Sequence, residues 1–116
     1  MKTYAGGCHC GKVRYQVRMD LQSVMTCNCS YCSKKGFILS FVPASQFKLL
    51  SGENNLAEYR FNKKVIQHLF CKACGVQSFG KGKGPDGSPT VMINVRCLDN
   101  VDYNKLPTKE FNGKDR

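Results

Sequence analysis

Phe70-Cys71-Lys72-Ala73-Cys74-Gly75 is a pair of thiols on a turn, entered from an apolar run and left through a glycine. Two cysteines three residues apart on such a turn can both reach one metal ion, about 2.3 Å from each sulfur. A second pair stands far upstream, in Gly7-Cys8-His9-Cys10-Gly11. On extended backbone, residues i and i+2 point the same way, so Cys8 and Cys10 offer two sulfurs on one side and turn His9 away. Together Cys8, Cys10, Cys71 and Cys74 make four thiolates, the donor set of a closed, structural zinc site. Such a clip ties the front of the chain to its middle. It closes a long loop, where a cross-link does most for stability in principle. The chain has 116 residues and fits a single zinc-binding domain over 1–116. A domain of that size buries roughly two thirds of its unfolded surface, so its core is modest and a staple is useful.

The next group has a different count. Cys27-Asn28-Cys29-Ser30-Tyr31-Cys32 packs three cysteines into six positions. Cys27 and Cys29 share a face by the same alternation, and Cys32 comes round after a turn. Three protein ligands with a vacant fourth position describe a zinc that does chemistry, lowering the pKa of whatever fills the gap. Two other readings stay open. The triplet can be a second structural zinc completed by Cys97, a His or an acid, or a cluster-binding CxCx2C motif. Cys97 shares strand parity with Val91, Ile93 and Val95, which places it in the core as a small hydrophobe. His9 and His68 read as hydrogen-bonded structural residues.

Around these motifs the pattern is that of short strands. Val13, Tyr15 and Val17 alternate with Arg14, Gln16 and Arg18, a half-buried strand. Phe37 to Val42 is an apolar run ended by Pro43, and Phe47 to Leu50 leads into a Ser51–Gly52 turn. Leu56 to Phe61 and Val65 to Phe70 flank Asn62-Lys63-Lys64 as in a hairpin. Val76 to Phe79 is a further strand, and Val91 to Leu98 alternates again. Lys81 to Pro89 reads as a loop from its Gly and Pro content, and the polar stretch Lys105 to Arg116 reads as a fraying end. Helical signal is confined to a turn after Cys29, through Ser33 and Lys34, and one at Ala44 to Phe47. The class is mainly β, a small domain of short strands.

No targeting segment is visible from Met1 to Gly7, and the longest apolar stretch is far too short to span a membrane. The expected compartment is the cytosol, where thiols stay reduced and patterned cysteines read as metal ligands ahead of disulfides. The formal net charge is +10. Seven thiolates add −7 and two Zn²⁺ add +4, so the loaded protein stands at about +7. A field of that sign suits nucleic acid or a small anionic substrate, but a solvated basic surface explains it equally and makes nucleic acid the weaker expectation.

These residues resemble the glutathione-dependent formaldehyde-activating enzyme family, which is grouped with the centromere protein V domain. The likeness rests on Gly7-Cys8-His9-Cys10-Gly11, Cys27-Asn28-Cys29-Ser30-Tyr31-Cys32, Phe70-Cys71-Lys72-Ala73-Cys74-Gly75 and Cys97-Leu98-Asp99, in the family's order. The resemblance implies an Mss4-like fold with two zinc ions. It makes Cys8, Cys10, Cys71 and Cys74 the structural ligands and Cys27, Cys29 and Cys32 the catalytic ones. The namesake reaction joins formaldehyde to glutathione as S-(hydroxymethyl)glutathione, formally a carbon–sulfur lyase in reverse. The chain departs from the pattern in its compactness and in Asn28, where a His is common in the family.

The resulting expectation is a zinc-dependent carbon–sulfur lyase-type enzyme that adds a thiol such as glutathione to formaldehyde or a related small aldehyde. Lys34, Lys35, Arg60 and Arg96 are candidates to meet the carboxylates of an anionic thiol, and the Asn94–Arg96 face is a candidate pocket border. The alternative is a non-enzymatic zinc module that binds a partner protein or nucleic acid.

Overall fold

The computed structural model describes residues 1–60 and 66–112. Among the described residues ten strands form two sheets. A three-stranded sheet runs in the order β1–β2–β5, from Lys2–Gly7 (β1), Arg14–Met19 (β2) and Phe47–Ser51 (β5). A seven-stranded sheet runs β10–β3–β4–β9–β8–β7–β6. Its members are Val24–Cys27 (β3), Leu39–Pro43 (β4), Leu56–Tyr59 (β6), Gln67–Cys71 (β7), Phe79–Lys83 (β8), Pro89–Asn94 (β9) and Thr108–Phe111 (β10). All pairings are antiparallel except β10 with β3. The fold is mainly β, as the alternation implied. Among the described residues no helix is long and apolar enough to cross a membrane.

The main core lies between the sheets. Val13, Tyr15 and Val17 are fully buried there, so the row read from the sequence does face inward. Tyr15 meets Phe47 and Phe79 at ring-centroid distances of 5.1 and 5.6 Å, and its hydroxyl donates to the Ser78 carbonyl at 3.0 Å. That bond satisfies a polar atom which would otherwise be costly at this depth. A second, smaller core of Cys32, Phe37 and Leu39 sits under α1 (Ser30–Lys35), with Cys27, Cys29 and Tyr31 packed against it. Adjacent residues on a strand face opposite ways. Leu69 and Cys71 of β7 accordingly contribute to the main core, while His68, next to Leu69 on the strand, turns to Tyr31 on α1, 4.3 Å between ring centroids. The large sheet thus separates the two cores.

Four expectations are corrected. Lys81 to Lys83 is strand, not loop: β8 pairs on one side with β7 and on the other with β9, leaving only residues 84–88 as a connection. Gly80 in this strand marks close packing, because a Cβ there would lie 2.7 Å from Met92 Cε. The expected strand at Val76 to Phe79 begins only at Phe79. The C-terminal segment does not fray over Thr108–Phe111, because it pairs with β3 as an added parallel strand. Finally, β9 ends at Asn94, and Val95–Cys97 forms a 3-10 turn whose first free N–H, that of Arg96, donates to the Asn94 side chain. The turn breaks the strand parity on which the placement of Cys97 rested. Cys97 is half-buried. The Asn62-Lys63-Lys64 hairpin tip lies outside the described residues, although its flanks, β6 and β7, do pair antiparallel.

Candidate metal centres

The sulfurs of Cys8, Cys10, Cys71 and Cys74 all lie within 4.8 Å of one another. Cys8 Sγ is 3.6 Å from Cys10 Sγ, and Cys10 Sγ is 3.7 Å from Cys71 Sγ. Four thiolates at 2.3 Å around one centre stand about 3.8 Å apart along each tetrahedral edge, whereas a disulfide is about 2.05 Å long. The spacing therefore fits a shared metal ion, and all eight cysteines are free thiols. Local backbone builds the set. Gly75, at φ 80°, lets the chain turn so that its N–H returns to the Cys71 carbonyl at 2.8 Å, while the Cys71 N–H meets the Val76 carbonyl at 3.1 Å. The Val13 N–H donates to Cys8 Sγ at 3.3 Å. Backbone N–H groups, chiefly that of Val76 and then that of Cys10, draw the Cys74 thiol down to about 6. A thiol so poised is largely thiolate at neutral pH, the form that binds metal ions.

Cys8 and Cys10 do not reach this arrangement by strand alternation. β1 ends at Gly7, and the two cysteines converge on the turn between β1 and β2. Cys97 stands outside both groups. Burial pushes its thiol up to about 11, and the nearby Cys8 and Cys74 thiols add to the rise.

The sulfurs of Cys27, Cys29 and Cys32 form the second group, again within 4.8 Å of one another, and no fourth His, Cys, Asp or Glu joins them among the described residues. Cys27 ends β3. Cys29 is the N-cap of α1, its sulfur accepting from the Cys32 N–H at 3.3 Å. Gly36, at φ 68°, closes the helix, and Lys34 and Lys35 occupy its last turn, where cations suit the helix dipole. Burial opposes a thiolate at Cys29, but the Cys32 N–H and the neighbouring thiols outweigh it, so its pKa is lowered. Burial dominates at Cys32 and raises it.

Residues that spacing did not single out brace this group. Tyr31 donates to Gln77 Oε1 at 2.7 Å, and Gln77 Nε2 lies 3.5 Å from His68 Nδ1. Gln77 and His68 are both buried, and burial lowers the His68 pKa. His68 is thus a structural residue in a polar network. The Asn28 N–H donates to the Phe111 carbonyl at 3.1 Å, and its side-chain amide to Asn112 Oδ1 at 3.0 Å. The triplet loop is consequently strapped by the C-terminal strand, whose polar sequence gave no sign of it.

The candidate anion contacts diverge. Lys34 and Lys35 are exposed on α1, with Lys35 Nζ 5.7 Å from the centre of the Tyr31 ring. Arg60 pairs with Glu58. Arg96 is committed to structure: Nε donates to the Gly36 carbonyl at 3.1 Å, an Nη to the Tyr103 hydroxyl at 3.1 Å, and the guanidinium lies 4.8 Å over the Tyr103 ring. It locks the helix that carries Cys32.

A crystal structure of a Rhodobacter sphaeroides protein is similar to this chain, with a TM-score of 0.77 and 28% identity, covering 90% of this chain and 98% of that one. The family described as glutathione-dependent formaldehyde-activating enzyme matches residues 3–113. A match of that extent embraces both sulfur groups and every described strand bar the first residue of β1, and it assigns the chain to the glutathione-dependent formaldehyde-activating enzyme family.

Proposed function

We propose that the protein is a zinc-dependent carbon–sulfur lyase-type enzyme that adds a small thiol such as glutathione to formaldehyde or a related small aldehyde, working in the reducing cytosol. Cys8, Cys10, Cys71 and Cys74 hold a structural zinc in this reading, and Cys27, Cys29 and Cys32 a catalytic one. The observation that carries it is the unequal sulfur count, four in one place and three in the other with no fourth ligand of the usual types among the described residues. A zinc ion bound by three thiolates supplies a Lewis-acidic position at which an incoming thiol is acidified.

The chain's own residues do the rest. Phe37, Leu39 and the body of Tyr31 keep one side of the triplet apolar, which strengthens electrostatic interactions there. Lys34 and Lys35 put positive charge beside it, suited to the carboxylates of an anionic thiol. In the synthetic direction the thiol sulfur attacks the aldehyde carbon. One C–S bond forms, the carbonyl π bond opens, and the thiol proton ends on the new hydroxyl. Atoms and electrons balance with no redox partner.

The test is exchange NMR of ¹³C-formaldehyde with glutathione. Zinc-loaded protein is expected to accelerate formation of the hydroxymethyl adduct over buffer. Cys29→Ser is expected to abolish the acceleration, to lower bound zinc from about two ions to about one, and to keep the fold, whereas Cys71→Ser loses the fold. No acceleration by the loaded wild type, or identical unfolding of both variants, overturns the reading.

A further inference from the structure

The face of the large sheet that looks toward the small sheet changes character along β8. Register aligns Leu69, Phe79 and Ile93 across β7, β8 and β9 as one apolar layer. The next layer on the same face is Gln67, Lys81 and Val91, and the one beyond pairs Lys83 with Pro89. Period-two alternation puts Phe79, Lys81 and Lys83 on one side of the strand. Two lysines therefore continue a row that begins in the core, where Phe79 meets Phe47 of β5 at 4.7 Å between ring centroids. Inward-pointing charges often protect an edge strand against unwanted pairing. That explanation does not apply here, because β8 is an interior strand with β9 and β7 on its two sides.

What these lysines face is a cleft of about 520 Å³ where edge strand β5 stands away from β7–β9. Its apolar wall comes from Phe47, Leu49 and Val91, and its polar wall from Gln67, Lys81 and Lys83. That volume is in the range of small-molecule sites. Arg60 also lines it, with its guanidinium paired to Glu58. Glu58 in turn accepts from Gln67 Nε2 at 3.3 Å, so the acid beside the cleft is already engaged. Among the described residues Lys81 and Lys83 have no ion-pair partner. Two such cations beside an apolar wall match an anionic head on an apolar body.

The cleft is not the triplet's own pocket. Gln67 and His68 are adjacent on β7 and face opposite ways. Gln67 lines the cleft, and His68 packs on Tyr31 of α1 among the three cysteines. One thickness of sheet lies between.

We propose that this cleft is a second ligand site, taking a small amphipathic carboxylate whose head is held by Lys81 and Lys83 and whose hydrocarbon body lies along Phe47, Leu49 and Val91. The site lies beyond the thiol–aldehyde chemistry and is tested by binding alone. Octanoate is titrated into the metal-loaded full chain and followed by amide NMR, with octanol as the neutral body and acetate as the bare head. Octanoate is expected to bind saturably, one per chain, with a Kd of roughly 0.1–1 mM, the range open to a ligand of about ten heavy atoms. Its shifts centre on residues 81–83 and 90–91. Octanol and acetate bind more weakly by at least about tenfold, as when a charge-assisted hydrogen bond or a desolvated chain is removed. The double variant Lys81→Gln/Lys83→Gln loses octanoate affinity by a similar factor. Lys48→Gln/Lys109→Gln, which removes equal charge from exposed positions outside the cleft, keeps it. The thermal midpoint of each variant verifies its fold. Absent saturation, equal binding of octanol, or equal affinity in the Lys81→Gln/Lys83→Gln protein overturns the proposal.

Discussion

Gly52 shows how much of the tetrad depends on a residue that touches no sulfur. It sits at φ 89°, a conformation that L side chains rarely adopt, and a Cβ there would overlap the Lys12 carbonyl oxygen and stand 2.7 Å from Val13 Cα. Lys12 and Val13 belong to the turn that delivers Cys8 and Cys10, and the Val13 N–H donates to Cys8 Sγ. Gly52→Ala is therefore expected to cost about 2–5 kcal/mol, combining backbone strain with overpacking, and to weaken metal retention at the tetrad. Denaturant titration of the loaded protein, read beside its zinc content, checks both. At this scale the sequence was a good guide to which cysteines gather and a poor one to how. Spacing separates seven cysteines into four and three, and the structure gathers the same sets. The geometry differs, because Cys8 and Cys10 ride a turn and Cys29 caps a helix. Sulfurs can converge from several backbone shapes, so spacing constrains the grouping more tightly than the route.

Element by element, the legible strands were those that alternate. β2 announces itself because half its residues are core and half are solvated. β8 reads as loop in the sequence because Gly80 and Gly82 look like punctuation and its lysines look like surface. Its strand state is imposed by two partners distant in sequence. β10 is illegible for a related reason: Thr108, Lys109 and Glu110 are all exposed, so nothing in the segment's composition reports a pairing with β3 more than 80 residues upstream. That pairing has a consequence for the triplet, since Asn28 is tied to Phe111 and Asn112. Deleting residues 108–116 is expected to leave β3 as a bare edge and to loosen the Cys27–Cys32 loop. The truncated chain should keep about one zinc and lose the more weakly held second ion to a competing chelator at least about tenfold faster than the full chain, the scale of losing outer-shell support around a metal site. Equal release rates would show that the strap carries no load.

Over the whole molecule, the tetrad brings Cys10 to Cys71 across 61 residues of chain, and it does so at the rim of the main core, with Cys8 and Cys71 buried and Cys10 exposed. A domain of this size has a net stability of about 5–15 kcal/mol, and structural zinc in small domains contributes about 10–16. A zinc ion held by the tetrad would therefore match or exceed that total. Complete chelation is therefore expected to unfold the chain at room temperature, with loss of near-ultraviolet dichroism from its buried tyrosine, and zinc alone is expected to restore the signal. A metal-free protein with an unchanged spectrum would remove the tetrad from its structural role.

The placement of the two sulfur groups on opposite sides of one sheet carries a last implication. A change of side chain around the triplet perturbs the shallow core beneath α1, while the cross-linked interior beyond the sheet keeps its own packing. Variation in reactivity is thereby insulated from the chassis. Such a scaffold can acquire a new substrate by altering residues 27–37 alone, and libraries confined to that arc should return a high fraction of folded members.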